Sequence, residues 1–493
     1  MRHVELRRGV YVDSVTLMQV SRRVSQLEGV TSCVVAMGTD LNVLLAADLG
    51  FDVPHAAAPT EMLVAVDATS RERLDAALAE AEAALGESSR PAGATGSGGF
   101  GSPPPPLTVR AAAARSGAHV ALVSTPGRYA FADAVDAIDA GLDTMVFSDN
   151  VPVEQEVALK DRAAAAGVLV MGPDCGTALI GGVGLGFANV VRPGPVGLVA
   201  ASGTGAQHLM SLLDSNDVGV SHCLGVGGRD LSAAVGGRST LRAMELLDED
   251  EATSLVVVVS KPPAPEVAAA VREQAQRMST PVLLALLGPG EPDLTETAAR
   301  VVAATGSAWT APEHWEGAVP AGRDGGFLRG LFVGGTLCEE AMLVATDRLG
   351  PIHSNIPLDP RWAVDEDLSL HDHAMLDLGD DRFTRGRPHP MIDSSTRLGL
   401  LRAQVADPHT SVVLLDVVLG LGAEPDPAGE LEAAVSSATD KGVPVVAGVI
   451  GTRDDPQGLR TQVARLVDAG AWVHLSNAAA TRCALDLLAG AAR

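Results

Sequence analysis

Short apolar runs of strand length alternate with segments of helical period along most of the 493-residue chain. The first 85 residues read as strand His3–Val12, helix Ser14–Leu27, strand Val30–Met37, helix Leu41–Leu49, strand Met62–Asp67, and a helix running from the cap Ser70 to Leu85. Leu17, Val20, Val24 and Leu27 share one face of the first helix, as a 3.6-residue period requires. This alternation suits a small α+β module (1–85) of ferredoxin-like type. Gly86–Pro106 breaks the pattern with six glycines, five prolines and four serines in 21 positions. That composition cannot bury a core and reads as a linker (86–106).

After the linker the unit is strand, Gly-containing turn, helix. His119–Thr125 leads to a helix over 129–140, and Thr144–Ser148 to one over 154–166. Val168–Met171 ends in GPDCGT (172–177); Val196–Ala200 runs into SGTG (202–205) and His222–Gly225 into GVGGRD (225–230). Leu255–Ser260 and Val282–Leu287 complete that sheet. Beyond a composition shift at Pro312–Gly326, Leu328–Val333 meets GGT (334–336), Val412–Val418 meets GLGAEPD (420–426), and Val445–Ile450 meets GTRDD (451–455). Strand and helix in this order build right-handed βαβ units and parallel sheets. Three successive α/β units are expected, at 107–192, 193–320 and 325–493, the last two being cousins.

Composition narrows the function. Lys and Arg total 36 against 61 Asp and Glu, a net charge of −25, which repels nucleic-acid backbones. Any small anionic ligand must then be held by backbone amides or a local cation. No apolar run approaches the ~20 residues of a membrane helix, and the charged N-terminus lacks a signal-peptide core. The five cysteines (33, 175, 223, 338, 483) form no C-x-x-C. A reduced, cytoplasmic protein without a metal site is expected.

Open parallel sheets bind ligands at the carboxyl ends of their strands, where the first amides of the following helix lack internal partners. SGTG, GGT and GLG are the turns that qualify. Ser202, Gly203, Thr204 and Gly205, with Gly420, Leu421 and Gly422, are therefore candidate phosphate- or anion-binding residues. Capping explains the same residue types equally well. Asp174 and Cys175 in GPDCGT, and Gly227, Gly228 and Arg229 in GVGGRD, are candidates on the substrate side. Cys175 has no His or Lys beside it in sequence to make a thiolate. The densest polar stretch is His371–Asp393. Its His371, His373, Asp377, Asp380 and Asp381 offer metal-ligand atoms at no reliable spacing. Arg385, Arg387 and His389 offer anion contacts, and His389 with Arg387 is the leading catalytic pair. GxxxxGK[ST], GxSxG, HExxH and a GxGxxG over 107–125 do not occur.

STPGRYAFADAVDAIDAGLD (124–143), GVLVMGPDCGTALI (167–180), VGLVAASGTG (196–205) and LGVGGRDL (224–231), in that order, resemble the α subunit of succinyl-CoA synthetases over residues about 118–318. Residues 325–493 resemble the CoA-ligase domain that ends the β subunit of those enzymes. The full layout, with FSDNV (147–151), GGRDLS (227–232), VSKPP (259–263) and GRPHPMID (386–393), is similar to the FdrA family. The resemblance implies an α/β fold of tandem Rossmann/flavodoxin-like parallel sheets: a CoA-binding-like Rossmann domain over 107–192 and two flavodoxin-like ligase domains over 193–320 and 325–493.

For activity it implies a subunit of oxamate carbamoyltransferase, acting with companion subunits in allantoin-type purine catabolism. That enzyme interconverts oxamate plus carbamoyl phosphate with oxalurate plus phosphate. Other implied readings are an acyl-CoA synthetase or succinate–CoA ligase-like enzyme, and a non-catalytic scaffold subunit; an oligomer is expected.

The chain departs from the synthetases at GPGEPDLTE (288–296), where their phosphorylated histidine belongs and where none occurs between His222 and His314. Their Gly-rich CoA loop before His119 and their ATP-grasp domain are also missing, so bound CoA or another cofactor is not expected. By resemblance, the two helix N-termini that would still hold a phosphate are SGTG (202–205) and LGLGAEPD (419–426).

Overall fold

A computed structural model describes residues 1–8, 10, 12, 14–53, 58, 60–88, 106–318, 325–365, 368, 370, 372–384 and 388–491. Most of the linker, His371, Arg385 and Arg387 lie outside the described residues. The chain divides into one unit of residues 1–112, 124–126 and 384–388, and a second holding the rest. No helix among the described residues is long and apolar enough to cross a membrane.

The N-terminal module follows the sequence reading closely. It contains β1 (Arg2–Arg7), α1 (Ser14–Ser25), β2 (Val30–Met37), α2 (Asp40–Asp48), β3 (Met62–Ala68) and α3 (Arg71–Ser88), with an antiparallel sheet of order β1-β3-β2. Residues of β3 point alternately to two cores. Val64 and Val66 pack with Leu17, Val20, Val24 and Leu74 of α1 and α3. Leu63 and Ala65 pack with Ala46 and Phe51, so α2 covers the opposite face.

After the linker come α4 (Val109–Ser116), β4 (Val120–Val123), α5 (Gly127–Asp139), β5 (Asp143–Val146), α6 (Val153–Ala166) and β6 (Val170–Met171). Strands β4, β5 and β6 form a small parallel sheet in that order. Next comes a hairpin that the pattern did not reveal, β7 (Thr177–Ile180) and β8 (Val183–Gly186), turning on Gly181 and Gly182, both at positive φ. The hairpin pairs antiparallel with the following sheet through β10, so residue 192 does not separate the two sheets.

That sheet comprises β9 (Pro193–Ala201), α7 (Gly203–Ser215), β10 (Val220–Gly225), α8 (Arg238–Glu249), β11 (Leu255–Ser260), α9 (Pro265–Arg277), β12 (Val282–Leu286) and α10 (Leu294–Ala304), in strand order β12-β11-β9-β10-β7-β8. The last sheet contains β13 (His314–Trp315), β14 (Phe327–Phe332), α11 (Gly335–Leu349), β15 (Ala374–Asp377), α12 (Asp381–Thr384), α13 (Ser395–Ala406), β16 (Thr410–Val418), α14 (Pro427–Asp440), β17 (Val445–Ile450), α15 (Leu459–Asp468), β18 (Trp472–His474) and α16 (Asn477–Ala491). Its order is β13-β18-β17-β16-β14-β15.

Each repeat places its first parallel strand, β9 or β14, between the second and the third. This is the doubly wound arrangement in which ligands collect beyond the carboxyl ends near that first strand. The two sheets are therefore the cousins the sequence implied. Helix α7 is buried from Gly205 to Asp214 on all sides, although it carries Gln207, His208, Ser211 and Asp214.

Candidate functional site

The N-termini of α7 and α11 meet. Ser202 caps α7, accepting a hydrogen bond from the Gly205 amide at 3.0 Å, and its hydroxyl donates to Thr336 Oγ1 in the first turn of α11 at 2.7 Å. A methyl group built at Gly334 would lie 2.7 Å from Thr204 Oγ1. Glycine is thus what lets the two turns approach. Asp416 on β16 holds the β14–α11 turn by accepting from the Val333 and Gly334 amides at 2.7 and 2.9 Å. Burial pushes the Asp416 carboxyl up to about 6, against the opposing charge of Arg397.

Above these turns the strand ends deliver charged groups. Lys261 follows β11 and Asp377 ends β15. A methyl group at Gly335 would lie 2.6 Å from Asp377 Oδ2 and 3.1 Å from Lys261 Nζ. Asp377 Oδ1 also accepts from the Gly379 amide at 2.9 Å. Burial pulls the Lys261 ammonium down, but the carboxylates of Glu339, Asp377 and Asp174 outweigh it and raise the pKa, so Lys261 stays a cation. Burial drives Asp377 up to about 7, opposed by Lys261 and the Gly379 amide. Glu339, whose Oε1 is 3.7 Å from Lys261 Nζ, is likewise raised by burial. Asp174 is raised to about 7 by desolvation, and further by the charges of Asp149 and Asp381, against Lys261 and Arg229. One ammonium and two helix N-termini thus lie among carboxyls raised by burial, Asp377 and Asp174 to about 7.

The structure sorts the candidate residues. At α7 the Gly205 amide is taken by Ser202, leaving the amides of Gly203 and Thr204 without partners among the described residues. The GLG turn is not a cradle. Leu421 donates its amide to Ala188 O at 2.8 Å, Gly420 donates to Gln457 Oε1 at 3.1 Å, and the next helix starts only at Pro427 under the cap Asp426. The second N-terminus at the site belongs instead to GGT (334–336). Cys175 is 2% exposed, its thiol donates to Thr177 O, and burial raises its pKa, so it is a packing residue rather than a ligand contact. Gly227, at φ 89°, is glycine because a side chain would collide with Pro173 O. Asp174, at φ 57°, is close enough to feel the charges of both Lys261 and Arg229.

His389 is at the site, with its ring 5.7 Å from that of Phe187 and its Nε2 2.7 Å from a methyl group built at Gly379. Its Nδ1 accepts from the Met391 amide at 3.2 Å, which leaves the proton on Nε2, and burial lowers its pKa to about 4. It is therefore a neutral hydrogen-bond donor near pH 7, not the proton acceptor expected of it. Its expected partner, Arg387, lies outside the described residues.

Sequence reasoning missed Lys261, because a lone lysine after a strand looks like any surface lysine; the quoted VSKPP motif was the available signal. It met Asp377 only as a would-be metal ligand. Among the described residues no cluster of three metal-ligating side chains occurs.

Two kinds of group can be tested against the residues: the CoA of the synthetases and a metal ion. A CoA pyrophosphate needs an open Gly-rich amide turn. The turn into α5, Ser124–Gly127, has a single glycine and a proline that supplies no amide, so the residues present do not fit. In the N-terminal module, Cys33 is the one cysteine, so no pair of thiolates is available there to hold a metal ion.

Residues 1–99 match a family model described as AllF, heavy metal-associated domain, and residues 331–487 match one described as CoA-ligase. The chain thus carries a CoA-ligase domain in a succinyl-CoA synthetase-like α/β fold. Succinate–CoA ligase [ADP-forming] subunit alpha 2 of Archaeoglobus fulgidus is 27% identical over 158 residues, 31% of this chain and 54% of that subunit, so the match spans about half the relative's length. A dinucleotide-forming acetyl-coenzyme A synthetase 1 of Ca. Korarchaeum cryptofilum, solved with phosphate and ADP, aligns over 78% of this chain and 85% of its own at 18% identity and a TM-score of 0.31. YahF of Escherichia coli (strain K12) is 35% identical over 496 residues, 95% of each chain, and the chain belongs to the family of that protein.

Proposed function

We propose that the chain is the anion-binding subunit of a cytoplasmic carbamoyltransferase of the FdrA type, which exchanges carbamoyl phosphate plus oxamate with oxalurate plus phosphate alongside companion subunits. One observation carries this reading: Lys261 and the N-termini of α7 and α11 converge, while the loop that bears the phosphorylated histidine in the synthetases has none here. The Gly288–Glu296 loop contains no histidine, and its Thr295 hydroxyl is hydrogen-bonded to Ser476 Oγ at 2.7 Å. A phosphate cradle without a phosphocarrier suits direct use of an acyl phosphate.

In the forward direction the oxamate amide nitrogen attacks the carbamoyl carbon. The C–N bond forms, the C–O bond to phosphate breaks, and phosphate leaves with the bonding electrons. Lys261 and the amides of Gly203 and Thr204 neutralise charge on the departing phosphate. Asp377, near neutrality and beside Lys261, takes the amide proton, while His389 Nε2–H donates to a substrate oxygen.

A second reading, an acid–thiol ligase, is favoured by the CoA-ligase match over residues 331–487. The two differ in co-substrates. Full chain plus companion subunits should cleave oxalurate with phosphate alone, and the isolated chain should bind anions but turn over slowly. Strict dependence on ATP and CoA would establish the ligase instead. Full activity of the isolated chain would remove the companion subunits from the mechanism.

A further inference from the structure

Four charged side chains form a line from the interior to the surface beside Asp174. Asp230, 0% exposed, caps the start of α8 by accepting from the Ser239 and Thr240 amides and the Thr240 hydroxyl. Lys160 on α6 spends all three of its protons, on Asp230 Oδ1 at 2.6 Å, Glu156 Oε1 at 2.8 Å and Val226 O at 3.1 Å. Glu156, also 0% exposed, has its other oxygen 2.9 Å from Arg229 Nη2, an ion pair without hydrogen-bond geometry. The same Nη2 donates to Val151 O at 2.8 Å.

The line alternates in sign and sums to zero, so every buried charge has a partner. It ends at an exposed group, the 41%-exposed Arg229 side chain. One nitrogen of the guanidinium is pinned, and Nε and Nη1 have no hydrogen-bond partner among the described residues. Asp174 is near enough to feel the charge of Arg229, yet no ion pair joins them within 4 Å. A buried framework that aims a guanidinium and leaves its donors open is unusual for a surface arginine, which ordinarily pairs loosely with whatever carboxylate is nearby.

We infer that Arg229 is the carboxylate-reading group for a small acceptor substrate, and that Glu156 and Lys160 are positioning residues that aim it. The inference rests on the carbamoyl-transfer reading only in calling the carboxylate compound the acceptor. Arg suits the task because its planar donors match a carboxylate's two oxygens, and a fixed Nη2 removes most of the rotamer freedom that binding would otherwise cost. The site then has two anion subsites: the Lys261 cradle for phosphate, and Arg229 for the carboxylate.

The test uses calorimetry on the full chain, with oxamate, its neutral analogue oxamide, and sulfate as separate probes. Oxamate should bind, oxamide should not, and sulfate at saturation should leave oxamate bound. Arg229→Lys should weaken oxamate roughly tenfold or more, the scale of one lost charge-assisted hydrogen bond, with sulfate affinity unchanged. Glu156→Gln, which keeps the side-chain shape and the acceptor for Lys160, should weaken oxamate in the same direction and spare sulfate.

Equal loss of both probes in Glu156→Gln would reduce Glu156 to a structural role and overturn the positioning claim. Unchanged oxamate affinity in Arg229→Lys would overturn the assignment altogether, and that variant keeps the test open if Glu156→Gln does not fold. Oxamate binding that depends on Arg229, in a reconstituted complex inert toward carbamoyl phosphate, would leave the subsite standing and remove only the proposed reaction.

Discussion

The Ser202 hydroxyl donates to Thr336 Oγ1 at 2.7 Å across 134 residues of sequence, so the cap of α7 and the first turn of α11 share one hydrogen bond. Both side chains are at most 5% exposed. Neither helix end is complete without the other half of the internal repeat.

Ser202→Ala removes the cap from Gly205 and leaves the Thr336 hydroxyl buried without its donor. The cap alone contributes about 1–2 kcal/mol, and the orphaned hydroxyl adds to the loss. Thr336→Val should cost less. Urea unfolding of the double variant should fall short of the sum of the singles by about 0.5 kcal/mol or more. Strict additivity would mean that the two turns are not energetically joined.

Sulfate affinity should fall as pH rises from 6 to 8. Burial holds Asp377 at about 7, so across this range it gains a negative charge beside Lys261 and the first turn of α11. Asp174 titrates in the same direction and adds to the slope. Sulfate is the suitable probe because it does not titrate there, and His389, lowered to about 4, contributes nothing in this range. Calorimetry on Asp377→Asn should show a flatter profile with tighter binding at pH 8. An unchanged slope would place the titrating group elsewhere.

Glu340, 1% exposed, accepts from the Leu294 amide and from Asn477 Nδ2, each at 2.7 Å, and burial raises it to about 7. Its native pKa lies above the unfolded one, so its contribution to stability is complete below about pH 4 and is lost as pH climbs through 7. Glu340→Gln cannot lose a proton. Between pH 5 and 8, unfolding free energies should shift in favour of the variant by about 1–3 kcal/mol relative to the parent. Parallel curves would show that Glu340 stays ionised in the native protein.

Incubation with labelled ATP or carbamoyl phosphate followed by alkaline quench should leave no phosphohistidine, since the Gly288–Glu296 loop offers no imidazole. Lys261→Met should weaken phosphate binding at least tenfold, the loss of about 1.4 kcal/mol or more. A stable acid-labile label would return the protein to ligase chemistry.

Much of the fold was legible because its strands are short, mostly apolar runs set off by glycine or polar residues. Val30–Met37, Leu255–Ser260 and Val445–Ile450 are strands from end to end, as their composition indicates. The hairpin Thr177–Gly186 was not legible, because its four-residue strands TALI and VGLG are too short to show a period, and they pair with a sheet formed later in the chain. Ser202–Gly205 and Gly334–Thr336 look alike and behave alike. Gly420–Gly422 looks similar but is followed by four residues before its helix, and those carry the actual cap, Asp426. The gathering of Lys261, Asp377, Asp174 and His389 comes from tertiary packing of four separate strand ends and loops, and local pattern carries no record of it.

The carboxyls that surround Lys261 also govern how fast a ligand arrives. A small anion approaching a protein of net charge −25 meets repulsion at long range and attraction only on contact with the ammonium and the helix ends. Added neutral salt shortens the reach of that field, to about 10 Å at 0.1 M, while contacts inside the cleft are screened far less. Encounter with anionic ligands should therefore quicken as ionic strength rises from very low values, the reverse of the salt response of enzymes that steer anions with a basic rim.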